Sequence, residues 1–199
     1  HLNLLVDASM EFFYILKSPY SIVACVENTY IEYLKESGFT RSFFFPHGVA
    51  SNIKCGENSE REYDISFLGT CIDIEGRRSH WSETFSKDLQ ELIDRAVNKV
   101  LSDERTSCFQ AIFEELKNGG YELSQIPVTA LFREVELFVK GIDRIRMLQS
   151  IEKQELHVFG AVLGGKSWKH YLKGKSNMHI HGEVSFTEGI EIMQKSRLV

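Results

Sequence analysis

Short apolar runs that end in Gly, Asp or Pro alternate with helical stretches along this chain, and that alternation most restricts its fold. Leu2-Asn-Leu-Leu-Val6 is an apolar run closed by Asp7, and Met10 to Lys17 is a helical stretch stopped by Ser18-Pro19. Tyr20 to Val26 is a second strand-like run. Asn28 is placed to cap a helix bearing Tyr30, Ile31 and Leu34, ended by Gly38. Arg41-Ser-Phe-Phe-Phe45 is a third run, closed by Pro46-His47-Gly48. Strand, helix and strand in this rhythm predict a βαβ unit and a parallel sheet.

Residues 50–62 are polar, with Ser51-Asn52 and Gly56-Glu-Asn-Ser59, and read as a linker. Tyr63-Asp-Ile-Ser-Phe-Leu68 starts a new strand, ended by Gly69-Thr70. From about residue 79 to 151 the apolar residues recur at helical spacing, as at Leu89, Ile93, Ala96, Val97 and Val100. A second block holds Ala130, Leu131, Val135, Phe138 and Val139, and Gly119-Gly120 separates the two. The pattern predicts two or three long helices inserted into an α/β domain. The α/β rhythm resumes with Leu156-His-Val-Phe159, a short helix near Ser167 to Leu172, and the strand Met178-His-Ile-His181. Ser185-Phe-Thr-Glu188 is a capping-box sequence opening the last helix, and Leu198-Val199 begins another strand.

The fold class is therefore α/β, with Rossmann-like parallel sheet segments and a long α-helical insertion. Residues 1–49 read as the C-terminal part of a first Rossmann-like domain, and 63–199 as an incomplete second one. A chain of 199 residues that starts at His1 and stops two residues into a strand is expected to be a fragment.

Charge and cysteines narrow the function. A net charge of −5 lacks the basic footprint of a general nucleic-acid binder, so no nucleic-acid partner is expected. No apolar run reaches the roughly 18 residues that span a bilayer, so no transmembrane segment is expected. Cys25, Cys55, Cys71 and Cys108 contain no Cys-x-x-Cys pair, which fits reduced thiols in a cytoplasmic protein rather than a zinc site or disulfide framework.

Gly160-Ala-Val-Leu-Gly-Gly-Lys-Ser167 matches the P-loop spacing G-x-x-x-x-G-K-S between a strand and a helix. Such a loop turns backbone N–H groups toward phosphates, while its lysine neutralises charge and its serine binds magnesium. A P-loop ATPase, GTPase or kinase using Lys166 and Ser167 is thus one reading. Against it, the helix after Ser167 is short, and no apolar run ending in aspartate follows.

A second constellation joins Phe45-Pro-His-Gly-Val49 to Tyr63-Asp-Ile-Ser-Phe-Leu-Gly69 across the polar linker. Arg144-Ile-Arg-Met-Leu, Leu156-His-Val-Phe-Gly160 with Trp168, and His181-Gly-Glu-Val-Ser-Phe follow in order. This series resembles the GT-B glycosyltransferases, specifically their CgeB-like (spore-maturation-type) group, over most of residues 40–70 and 144–199. The resemblance implies sugar transfer from a nucleotide-sugar donor to an unknown acceptor, with no tightly bound metal or cofactor. Whether the donor is a UDP-, GDP- or dTDP-sugar is not distinguished. The donor would lie mainly on the second domain, where ligands bind beyond the carboxyl ends of parallel strands.

Donor and phosphate candidates are then Gly69 and Thr70 at a strand end, Arg77 and Arg78 just before a helix start, and Gly160, Lys166 and His181 on the same predicted edge. His47 and Gly48 form the hinge turn, where His47 either faces the cleft or fixes the turn. Asp7 is a remote candidate for an acceptor-side base. The catalytic residues are unknown, because the family's carboxylate pair would lie beyond Val199 and most of the acceptor domain before His1. The chain alone is expected to be inactive. A third reading is a non-catalytic interaction module, which predicts an exposed apolar patch on the inserted helices.

Overall fold

The computed structural model describes residues 2–5, 18–26, 28–36, 39–48, 61–103, 105–122 and 125–199. The chain forms two compact units, residues 1–54 and 55–199. Asp7, the stretch Met10 to Lys17, Gly38, Cys55 and all but the last two residues of the polar linker lie outside the described residues.

In the first unit, β1 (Leu2–Leu5), β2 (Ile22–Cys25) and β3 (Ser42–Phe44) form a parallel sheet in the order β1-β2-β3. Helix α1 (Asn28–Glu36) connects β2 to β3, which makes the expected βαβ unit. Asn28 is the first residue of α1 rather than a cap before it. Ile31 and Leu34, one turn apart on α1, pack on Val23, Cys25 and Phe39. His47 and Gly48 follow β3 as exposed residues outside any helix or strand.

The second unit is built on four parallel strands, β4 (Tyr63–Leu68), β6 (Leu156–Phe159), β8 (Met178–Ile180) and β9 (Ser196–Leu198), in the order β8-β6-β4-β9. Taken as first, second, third and fourth along the chain, they stand in the order 3-2-1-4. That is the start of the Rossmann strand order, and its direction reverses between β4 and β9. Two further strands, β5 (Cys71–Ile72) and β7 (Val162–Leu163), pair in parallel just past the ends of β4 and β6. They are too short for an apolar pattern and were not expected from sequence.

The helical stretch departs from expectation in number and in start. It holds four helices: α2 (Ile74–Thr84), α3 (Lys87–Ser102), α4 (Cys108–Asn118) and α5 (Val128–Ser150). The first begins at Ile74, not near residue 79, because Asp73 caps it: its carboxylate accepts the Gly76 N–H at 3.0 Å. Leu92, Ile93, Ala96 and Val97 of α3, Ile112 and Leu116 of α4, and Leu131, Phe132 and Val135 of α5 are buried. Each of these side chains except that of Ala96 contributes roughly 1.5–3 kcal/mol on leaving water.

The end of α5 packs on the sheet. Ile145 and Leu148 join Leu156, Val158, Trp168 and Leu172 in one core, with Ile65 and Phe67 against it. Trp168 belongs to the short α6 (Trp168–Tyr171). Side chains alternate across a strand, so Ser66 and Leu68 face the other way. There lies α7 (Phe186–Gln194): a Cβ at Gly189 would stand 3.1 Å from Leu68, and Ser196 Oγ, which donates to the Ile192 carbonyl of α7 at 2.6 Å, lies 2.6 Å from Ser66 Oγ. Helices thus cover both faces of the sheet. No helix among the described residues is long and apolar enough to cross a membrane.

Candidate functional site

The β4–β6 pair does not stop at its strand ends. Gly69 N–H donates to the Phe159 carbonyl at 2.8 Å, Cys71 N–H to Ala161 at 2.9 Å, and Asp73 N–H to Leu163 at 3.0 Å. This alternate-residue ladder carries the two chains outward as a ribbon, bent where Gly69-Thr70 meets Gly160-Ala161. At the bend the chains come very close. A Cβ on Gly160 would lie 2.2 Å from the Gly69 oxygen, and its φ of 152° disfavours a side chain. The Gly69 carbonyl accepts the Trp168 indole N–H at 3.2 Å, and the Thr70 carbonyl accepts Arg144 Nη1 at 2.8 Å. The Arg144 guanidinium is partly buried, and burial draws its pKa below the usual arginine range. It pairs with no carboxylate among the described residues.

A cleft of about 270 Å³ opens at this bend. Gly69, Thr70, Gly160, Glu183, Ser185 and Phe186 contribute to its walls. The cleft therefore lies at the carboxyl edge of the parallel sheet, with the N-terminus of α7 on one side. The capping box of α7 forms as expected: the Glu188 N–H donates to Ser185 Oγ at 3.3 Å, and the Ser185 N–H donates to the Glu188 carboxylate at 2.7 Å. Hydrogen bonds from the Ser185 side chain and backbone hold the Glu188 carboxyl below its ordinary pKa. Phe186 is 81% exposed at the cleft mouth.

The ribbon ends on Asp73. Its carboxylate, 4% exposed, accepts the N–H groups of Gly76 at 3.0 Å, Gly165 at 2.9 Å and Lys166 at 3.1 Å, and the Tyr171 hydroxyl at 2.8 Å. Burial pushes its pKa up, but these four hydrogen bonds outweigh burial and leave it lowered. Burial and the bond to Asp73 raise the pKa of Tyr171. Gly164, at a φ of 119°, admits this packing, since a Cβ there would stand 2.4 Å from the Asp73 Cβ. Two N–H groups of the P-loop-like segment, those of Gly165 and Lys166, thus already serve the chain's own carboxylate. Lys166 Nζ pairs with Glu75, which also meets His170 Nε2 at 2.8 Å.

The structure brings Gly69, Thr70 and Gly160 together in the cleft, whereas Lys166 and His181, expected on the same edge, do not line it. The arginines are placed differently. Arg77 and Arg78 stand inside α2, not in a loop before a helix, because the Asp73 cap starts that helix early. Arg77 pairs with the buried Glu134 of α5 at 2.6 Å, and the Trp81 indole donates to the same carboxylate at 3.1 Å. Arg78 pairs with Asp94 at 2.7 Å and lies over the Trp81 ring at 5.2 Å. Arg77 lines a separate cavity of about 400 Å³ with Asp73, His80 and Gly164, whereas Arg78 and Lys166 line neither cavity. His181 lies beside the cleft, stacked on Phe159 at 4.2 Å.

Sequence reasoning missed Asp73, Glu134, Arg144 and Phe186. Asp73 had a local signal, an aspartate just before Ile74 with Glu75 in the first turn. The others are defined by partners far along the chain. Among the described residues no group of three or more His, Cys, Asp or Glu converges to hold a metal ion. Cys25, Cys71 and Cys108 are free thiols, and burial raises the pKa of Cys71 to about 11 and that of Cys108 to about 12.

No protein-family model, no curated protein and no solved structure matches the chain.

Proposed function

We propose that this chain carries the donor-binding part of a glycosyltransferase, and that a nucleotide sugar binds in the cleft at the β4–β6 bend. The observation that carries this reading is where the cleft lies: at the carboxyl edge of a parallel sheet in 3-2-1-4 order, bordered by a helix N-terminus. The sequence resemblance to the CgeB-like group of GT-B enzymes supplies the reaction class.

Each wall has a chemical use. Gly69 and Gly160 let main chain approach a diphosphate closely. The N-terminal end of α7 favours the negative charge that develops on the departing nucleotide, and Arg144, outside the cleft lining, holds the Thr70 carbonyl of its wall. Phe186 offers an exposed ring on which a base or sugar face can stack. The donor is a UDP-, GDP- or dTDP-sugar, and the acceptor is left open. The free thiols are in keeping with a cytoplasmic setting.

Specific observations disfavour the other readings. A P-loop must present free N–H groups to phosphate, but those of Gly165 and Lys166 already donate to Asp73. An interaction module on the inserted helices calls for an apolar patch. Among the described residues of α2 to α5, the only exposed large hydrophobic is Met147, at 49%.

A thermal-shift panel of UDP-, GDP- and dTDP-sugars beside Mg-ATP and Mg-GTP tests the proposal. Stabilisation by a nucleotide sugar alone is expected, weakened by Phe186→Ala and retained in Lys166→Ala. A response to ATP or GTP that disappears in Lys166→Ala overturns it, as does no response to any ligand.

A further inference from the structure

Three histidines lie together on the β6–β8 pair. The strand register sets His157 beside His179, and their rings stack at 4.6 Å. His181 follows one residue after β8. Its ring is nearly parallel to those of His157, at 5.2 Å, and Phe159, at 4.2 Å. His157 Nδ1 and His181 Nε2 are 3.0 Å apart, so one nitrogen must carry a proton and the other a lone pair.

The surroundings of this pair are mixed. The Tyr63 ring of β4 meets His157 edge-on at 4.7 Å. Glu62, just before β4, carries negative charge near His157 and is itself paired with Lys195. Glu155, just before β6, accepts from His179 Nε2. Against these carboxylates stand partial burial and the two neighbouring imidazoles. For His157, burial and then the charges of His179 and His181 lower the pKa, and for His181 burial and then His179 do so.

The pair tolerates one added proton, because an imidazolium can still donate to a neutral ring. Two added protons leave N–H facing N–H and two positive charges in contact. The protons therefore bind in coupled steps, and the second breaks the contact.

His181 leads directly into the cleft. Its N–H donates to the Val158 carbonyl at 2.8 Å, and Gly160 N–H donates to Gly182 at 3.1 Å. The next residues, Glu183 to Phe186, form one wall of the cleft. We propose that the His157–His181 pair is a pH-sensitive latch that holds this wall against β6 at neutral pH and releases it when both rings are protonated. The latch is a property of the protein's own atoms and does not depend on which ligand the cleft takes.

Folding linkage has a definite sign here. Both pKa values lie below the ordinary 6.5, so the latch contributes fully above that pH. Its contribution is lost as pH falls through the lowered folded values.

The test combines histidine ring NMR with amide hydrogen exchange at Gly160 and His181, corrected for intrinsic rates, from pH 8 to 4.5. The two rings are expected to titrate as a coupled pair below 6.5. Protection of both amides should fall about tenfold or more over the same interval. His181→Phe keeps a ring on Phe159 but cannot titrate, so its protection should be pH-independent within about twofold. If that variant does not fold, His157→Phe is the equivalent substitution on the other strand. The same pH-dependent loss in the Phe variant overturns the proposal. So does independent titration of the two rings at ordinary values with protection unchanged.

Discussion

The Asp73 carboxylate accepts the backbone N–H of Lys166 at 3.1 Å, across 93 residues of sequence. A glycine-rich loop with the spacing of a phosphate cradle is therefore occupied from within. The same carboxylate caps α2 and holds the Tyr171 hydroxyl, so one side chain fixes the end of the β4–β6 ribbon, a helix start and α6.

Asp73→Ala leaves four donors without an acceptor in a buried position. A loss of about 2–4 kcal/mol in urea unfolding is expected. Inorganic phosphate or sulfate should recover part of that loss in the variant and do little for the native chain, since the vacated N–H groups then have an anion to bind. The pH dependence follows from the lowered pKa. The stability that Asp73 contributes is present above its ordinary value of 3.8 and is lost as pH falls through the lower folded value. Unfolding curves of the native chain and Asp73→Ala should therefore converge in acid. Parallel curves down to the lowest pH would contradict the assigned network.

The two arginines separate by burial. Glu134 is buried and serves both Arg77 and Trp81, whereas Arg78 and Asp94 are both substantially exposed. Glu134→Ala strands a guanidinium and an indole N–H, and should cost about 3–5 kcal/mol. Asp94→Ala should cost less than about 1 kcal/mol. Denaturant midpoints measure both. Equal small losses would mean that Arg77 is free to serve a ligand.

Much of the fold was legible because its strands are apolar runs closed by Gly or Pro, as at Leu68-Gly69 and Phe159-Gly160. The capping box Ser185 to Glu188 was legible for a local reason, since both halves lie within four residues. Other features were not local. β5 and β7 have two residues each and exist only as a pair. Arg77 and Arg78 looked like free loop cations because Glu134 lies 57 residues from Arg77 and Asp94 sits on the next helix. The histidine stack depends on the β6–β8 register, which no single strand encodes.

Gly160 is the bend's steric requirement. Gly160→Ala places a Cβ 2.2 Å from a main-chain oxygen that the ladder holds in position, at a φ of 152°. A loss of about 2–4 kcal/mol is expected, together with a disturbed cleft. Gly182→Ala is the control on the neighbouring strand connection. Nothing lies within 4 Å of its added Cβ, so its effect should stay within about 0.5 kcal/mol. Chemical denaturation compares the two, and a neutral Gly160→Ala would show that the ribbon can part at this point.

Phe186 gives the most direct separation of stability from binding. Its ring is 81% exposed, so little packing is lost on truncation. The unliganded melting temperature of Phe186→Ala should match the native value within about one degree. If a base or sugar stacks on the ring, the ligand-induced shift should shrink by an amount corresponding to about tenfold in Kd, or roughly 1.4 kcal/mol. Titration calorimetry with the nucleotide sugar that gives the largest thermal shift measures that change. An unchanged Kd would move the ligand away from the α7 side of the cleft and leave the Gly69–Gly160 bend as its only support.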